Sequence, residues 1–234
     1  MTACDALFLG PHPDDVEIAC SGAILRLAQG GKRSAIVDCT GGEMGSRGTA
    51  AERRSEAEAA ASMLGVTERR SLDLPDTAVA VDEDSVRRLV RALRELRPTL
   101  LFAPHEKDVH PDHVAAAQLA SKAWFFSGLA RYEPELGAPC RPRMLVRYPG
   151  NIPVEPTFAL DVSDLAEKKA AVIRCYRSQL ATEGARSHLV QGLDILERAQ
   201  VRDRFYGART GCSFAEPYVV DGPVLLRDLS SLFG

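Results

Sequence analysis

Short apolar runs alternate with helix-like segments over the first half of the chain, and this alternation constrains the fold more than any other feature. Ala6–Gly10 (ALFLG) reads as a buried strand ending in a turn. A helical pattern over Asp15–Gln29 follows and stops at Gly30-Gly31. Residues 33–40 (RSAIVDCT) read as the next strand, 41–49 as a glycine-rich loop and 51–64 as an Ala/Glu/Arg-rich helix stopped by Gly65. A strand over 70–74 leads to an amphipathic helix over 82–96, with Val86, Leu89, Val90, Leu93 and Leu96 at helical spacing. A strand over 99–103 leads to a helix over 112–126. Strands are expected again at Met144–Tyr148 and 157–162, and helices at 165–179 and 189–205. Repeated strand–helix units pack as a mostly parallel sheet with helices on both faces. The expectation is therefore a Rossmann-like α/β core over about residues 1–130. The Pro-rich stretch 134–156 marks the start of a small C-terminal elaboration, about 131–234, within one domain.

The chemistry lies at two strand ends. Pro11-His12-Pro13-Asp14-Asp15-Val16-Glu17 follows the first strand, and the loop from Pro104 to His113 (PHEKDVHPDH) follows the strand over 99–103. In open α/β sheets, ligands bind just beyond the carboxyl ends of the strands. Four of the five histidines fall in these two loops, and only His188 lies elsewhere. Imidazole and carboxylate are the ligand types of a catalytic zinc, which takes three protein ligands and keeps one position open. His12 and Asp15, three residues apart at a strand-to-helix turn, can face one way, and His113 at the start of a helix can complete the set. Asp14 is then left over as a general base. Pro13 and Pro111 hold the preceding His12 and His110 in extended geometry. Plainer readings stay open at this level: Asp112 as a helix cap, Asp14-Asp15 as acidic residues favoured at a helix start, and Glu17 as a group that orients a ligand.

Composition removes several alternatives. A net charge of −3 gives no reason to expect a nucleic-acid or membrane partner. No apolar stretch reaches the roughly 18 residues of a membrane span. The amino-terminal MTACDALFLG has no basic region of the secretory kind, so a cytoplasmic enzyme is expected. The six cysteines show no CxxC spacing and read as reduced, mostly buried thiols. A dinucleotide-binding enzyme would need G-x-G-x-x-G after the first strand, and Gly10-Pro11-His12 is not that turn. A non-catalytic α/β module with a structural metal would close the site with a fourth ligand, and the spare Asp14 speaks against it.

PHPDDVE and HPDH, in this order and each after a strand, resemble the two signatures of the LmbE/PIG-L family of zinc-dependent N-deacetylases. The segment GGEMGSRGTAAERRSEAEAAASMLG between them is similar to the branch that deacetylates the N-acetylglucosaminyl-malate intermediate of bacillithiol biosynthesis. The resemblance implies a Rossmann-like fold and one zinc per chain, with iron(II) as an alternative, held by His12, Asp15 and His113. It implies Asp14 as the base, His110 as the group that stabilises the oxyanion and protonates the amine, and Asp112 as the carboxylate that orients His110. It also implies Arg53 as a sugar ligand, with Arg47 and Ser46 in the glycine-rich loop as further substrate contacts. Tyr206 is a candidate oxyanion helper from the C-terminal part. Negative Asp14, Asp15 and Asp112 are expected to keep His110 protonated. The implied substrate is a small acetylated amino sugar. Other N-acetylglucosamine derivatives are the alternatives: a mycothiol precursor, a chito-oligosaccharide or an antibiotic intermediate. A homo-oligomer, of the hexameric kind common in this branch, is expected in part from the apolar Trp124-Phe125-Phe126 run.

Overall fold

A computed structural model describes residues 3–180 and 194–225. The helix expected over 189–205 therefore falls partly outside the described residues, and His188 falls wholly outside them.

Seven strands form one sheet: β1 (Ala6–Gly10), β2 (Ser34–Asp38), β3 (Glu68–Ser71), β4 (Leu100–Pro104), β5 (Met144–Tyr148), β6 (Phe158–Asp161) and β7 (Ala215–Val220). Their order is β3-β2-β1-β4-β5-β7-β6. The first five pair in parallel, and β7 runs antiparallel to both β5 and β6. Alternation along β1 divides the core. Leu7 and Leu9 face helices α3 (Glu83–Leu96) and α4 (Pro111–Ser127), while Ala6 and Phe8 face α1 (Asp15–Gln29), α2 (Ala50–Leu64) and α5 (Ala166–Ile173). Helices thus cover both faces of a mostly parallel sheet, as the alternation predicts. The last helix, α6 (Ile195–Thr210), packs mainly on β7.

Local signals explain most boundaries. Thr49 and Glu52 form a reciprocal capping box at the start of α2, and Gly65 ends that helix in the left-handed conformation. Asp194 and Glu197 do the same at the start of α6. Other boundaries follow burial rather than propensity. β3 begins two residues before the expected 70–74. Its Arg69 is taken up by buried carboxylates, whereas Leu72 and Leu74 leave the strand and pack into the core as loop residues. Helix α5 stops at Ile173, well short of residue 179, and buried Tyr176 follows in a turn.

Strand β7 is absent from the sequence-based expectation, because Glu216 and Pro217 disguise it. Glu216 is fully buried in it and is made tolerable there by charge and hydrogen bonds. Lys169 Nζ lies 2.6 Å away, the N–H groups of Gly22 and Ala23 donate at 2.7 and 2.8 Å, and Tyr218 donates its hydroxyl at 2.8 Å. The apolar run 124–126 also resolves differently from its sequence pattern. Trp124 and Phe126 pack against the core, and only Phe125 is exposed, at 47%, beneath the Arg141 guanidinium. Of the six cysteines, all free, Cys4, Cys20 and Cys39 are buried. Among the described residues, no helix is long and apolar enough to cross a membrane.

Candidate metal and catalytic site

The chain leaves β1 toward β2 on one side of the sheet and returns to build β4 on the other. Neighbouring β1 and β4 thus form the point where the strand order reverses. The His12–Asp15 loop leaves β1 and the His105–His113 loop leaves β4, so the topology brings the two motifs together. Pro111 opens α4, and extended His110 is its N-cap, with the ring Nδ1 accepting the Asp112 N–H at 3.2 Å.

At the centre is one carboxylate oxygen. Asp15 Oδ2 lies 3.2 Å from His12 Nδ1 and 3.3 Å from His113 Nε2. Ligand atoms around a tetrahedral zinc, each about 2.0–2.1 Å from the ion, stand about 3.3 Å from one another. The donor set of two nitrogens and one oxygen therefore fits a divalent metal in both type and spacing. Each imidazole uses its outer nitrogen on a carboxylate. His113 Nδ1 lies 3.1 Å from Asp108 Oδ2, while His12 Nε2 lies 3.1 Å from Asp112 Oδ2 and 3.2 Å from Asp76 Oδ1. Such partners hold the outer N–H in place and leave the inner nitrogen free to bind a metal. A second group, His12, His110 and Asp112, also lies within metal-binding distance. There both Asp112 oxygens already accept backbone N–H groups, from Thr77 at 2.8 Å and Val79 at 3.2 Å, and His110 Nδ1 is bonded to the Asp112 N–H. The first set is the better site.

Charge follows this arrangement in the metal-free chain. Burial opposes charging His12, but Asp112, Asp15 and Asp76 outweigh it and push its pKa up to about 12. Burial likewise opposes charging His113, and Asp15 and Asp108 raise it to about 9. Asp15 is buried, yet the two imidazoles keep it well below the usual carboxylate range. Asp14 differs: burial raises it to about 7 against the pull of Arg53. Its φ of 110° is a strained, left-handed value for a residue with a side chain, and it caps α1 without a side-chain hydrogen bond.

His110 departs from the expectation of a protonated ring. Burial and the neighbouring His113 and His12 push its pKa down, outweighing Asp15 and Asp112. Because the Asp112 N–H must donate, Nδ1 accepts and the neutral ring carries its proton on Nε2. The Asp112 carboxylate contacts His12 and the backbone of Thr77 and Val79, while the main-chain N–H of Asp112 donates to His110 Nδ1.

Arg53 is largely buried. It donates to the Pro13 carbonyl and lies 3.2 Å from Asp14 Oδ2. Gly42 folds over its guanidinium: at φ +68° a Cβ there would stand 2.9 Å from Arg53 Cζ. Arg53 nevertheless lines, with Arg47 and Ser46, a polar cavity of about 370 Å³ that also meets His12, Asp14 and His110. Arg47 also donates to the Leu180 carbonyl at 3.2 Å. Tyr206 is buried with its hydroxyl tied both ways to the Val154 backbone, at 2.6 and 3.1 Å. Glu17 touches no candidate ligand; it pairs with Arg69 at 2.5 Å and accepts from Tyr176 at 2.9 Å.

The residues at the site without a sequence assignment include Asp76, Asp108, Gly150 and Asn151. Asp108 accepts from the N–H of His110 at 2.9 Å, from the Asn151 N–H at 2.8 Å and from Asn151 Nδ2 at 2.9 Å, besides facing His113. Gly150 makes room for this: a Cβ there would fall 2.1 Å from Asp108 Oδ2. The available signal is position, since Asp76 follows β3, Asp108 follows β4, and Gly150 and Asn151 follow β5, all just past strand carboxyl ends.

The PIG-L family, described as GlcNAc-PI de-N-acetylase, matches residues 7–124. The chain is similar to the conserved protein TT1542 from Thermus thermophilus, with 38% identity and a TM-score of 0.86 over 97% of this chain and 99% of that one. It is 29% identical to the diacetylchitobiose deacetylase of Thermococcus kodakarensis, over 74% of this chain and 69% of that protein. It is also 29% identical to the 4-oxalmesaconate hydratase of Pseudomonas putida, over 74% of this chain and 73% of that protein.

Proposed function

The chain belongs to the PIG-L family of de-N-acetylases, and on that premise we propose that it removes the N-acetyl group from a glucosamine conjugate with one divalent metal, zinc by preference, held by His12, Asp15 and His113. These ligands accept iron(II) as well. The observation that carries the reading is the pairing of a three-ligand set with a fourth acid left out of it. Asp14 stands next in sequence to Asp15, its strained backbone sets it apart from the ligand atoms, and Arg53 holds it from behind.

A metal bound at the triad supplies Lewis acidity and lowers the pKa of a coordinated water from 15.7 toward about 7. Asp14 takes the proton from the attacking water. His110, neutral with its proton on Nε2, donates a hydrogen bond to the oxygen of the tetrahedral intermediate, a contribution typically of about 3–4 kcal/mol. Asp14 then returns the proton to the departing amine. Arg53 holds Asp14 and, with Ser46 and Arg47, lines the polar cavity in which the substrate would sit.

Arg47 and Arg53 there suit an anionic aglycone, and the malate conjugate of N-acetylglucosamine is the specific substrate we propose. Charge-assisted hydrogen bonds contribute about 1.5–3 kcal/mol each. The test is parallel turnover of N-acetylglucosaminyl-malate, the inositol conjugate, diacetylchitobiose and N-acetylglucosamine, with acetate release measured for each. Preference for malate that collapses in Arg47→Ala supports the reading, and equal rates on all four reduce it to a general amino-sugar deacetylase. Release of acetate from none, with water added instead to an unsaturated carboxylate, would move the chain to the reaction type of its hydratase relative.

A further inference from the structure

Asp15 and His113, with Ile18, Asn151, Ile195 and Arg198, line two adjoining cavities. One is the polar cavity already described. The other is a cavity of about 380 Å³ lined by Ile18, Ala19, Ile152, Pro153, Val201 and Phe205. Its inner end is Asp15 and His113, and its outer end is Val201 and Phe205 of α6, which are 56% and 54% exposed. It is therefore a channel from the metal ligands to the surface. The cationic groups along it are engaged elsewhere: Arg202 donates to the Ile18 carbonyl and to Asp203, and Arg198 to Asn151 Oδ1.

A carbonyl carbon at the triad has two substituents that diverge. With the nitrogen-linked sugar in the polar cavity, the carbon substituent is directed to the opposite side. A methyl group uses little of the room there, since an apolar cavity of about 150 Å³ already accepts benzene. We propose that this channel admits acyl chains longer than acetyl and that, besides acetyl substrates, the enzyme also hydrolyses N-acyl amino sugars with linear acyl groups of roughly six to ten carbons. The inference rests on the amide-hydrolase reading above. The step is the same: the water oxygen bonds to the acyl carbon, the C–N bond breaks, one proton goes to the amine, and a medium-chain carboxylate leaves.

The experiment compares metal-loaded enzyme on N-acetyl- and N-octanoyl-glucosamine, with octyl N-acetylglucosaminide as a third substrate carrying its alkyl chain on the sugar side. Each fully buried methylene is worth about a factor of four, so the six added carbons set a ceiling of about 4 × 10³-fold. The expected result is an octanoyl-to-acetyl ratio in kcat/KM of at least about tenfold, falling toward one in Val201→Trp and Ile152→Trp, which narrow the channel. Acetyl turnover in each variant is the internal reference. Calorimetry of octanoate against acetate gives a readout independent of turnover, with octanoate expected to bind more tightly and to lose that advantage in the same variants. Intact acetyl turnover with no octanoyl advantage overturns the proposal, as does a preference for the octyl glycoside alone. Failure to hydrolyse either amide refutes the deacetylase reading itself.

Discussion

Replacing Asp108 by asparagine tests how the ligand set is held. The substitution keeps shape and removes charge. Both oxygens of Asp108 face donors: Oδ1 accepts from His110 N–H and Asn151 Nδ2, and Oδ2 accepts from Asn151 N–H and faces His113 Nδ1. An amide must turn its NH₂ toward one of these pairs. If it faces His113, the imidazole exchanges tautomers and presents N–H, rather than a lone pair, to the metal. If it faces His110, the start of α4 loses its anchor. Loss of such an outer partner typically weakens metal binding about 10–100-fold, or roughly 1.4–2.7 kcal/mol. Asp76→Asn is the internal comparison. His12 Nε2 has Asp112 at 3.1 Å besides Asp76 at 3.2 Å, so one carboxylate survives and the loss should stay below about tenfold. Zinc affinity would be measured by competition with a chromophoric chelator, with circular dichroism confirming that each metal-free variant is folded. Zinc binding by Asp108→Asn within about twofold of the parent, or equal losses in the two variants, would refute this account of how the site is held.

Two further predictions concern protons. Asp14→Asn should keep its metal and lose about 10²–10⁴-fold in kcat. In the parent, rate should fall as pH drops through the Asp14 pKa, which is about 7 without metal and lower once a dication sits beside it, and that acid limb should vanish in the variant. Metal loss in Asp14→Asn would instead make Asp14 a ligand. Metal uptake at neutral pH should release close to two protons per ion, because His12 and His113 of the metal-free chain hold theirs up to about 12 and about 9. Zinc titration calorimetry in buffers of different ionisation enthalpy measures this, and zero release would contradict the charged His–Asp–His arrangement.

The sequence by itself determined what short-range patterns can encode. Period-two and period-3.6 apolar spacing, glycine stops and capping residues specify β1, β2, β4 and the helices after them. Their alternation places PHPDDVE and HPDH at carboxyl strand ends, so His12, Asp14, Asp15, His110 and His113 were legible as one site. Tertiary structure decided whatever depends on which strand ends become neighbours. Asp76, Asp108 and Asn151 come from three separate loops and converge only because β3, β4 and β5 lie in one sheet around β1. Arg53 has the local pattern of a surface arginine on a polar helix, but packing buries it beneath Gly42 and against Asp14. Glu216 argues against a strand until Lys169 and two backbone N–H groups of α1 compensate its charge. The apolar channel is likewise invisible along the chain, because its walls come from α1, the stretch after β5, and α6. A carboxylate or guanidinium is stable in the interior only beside its partner, and partners far apart in sequence leave no periodic trace.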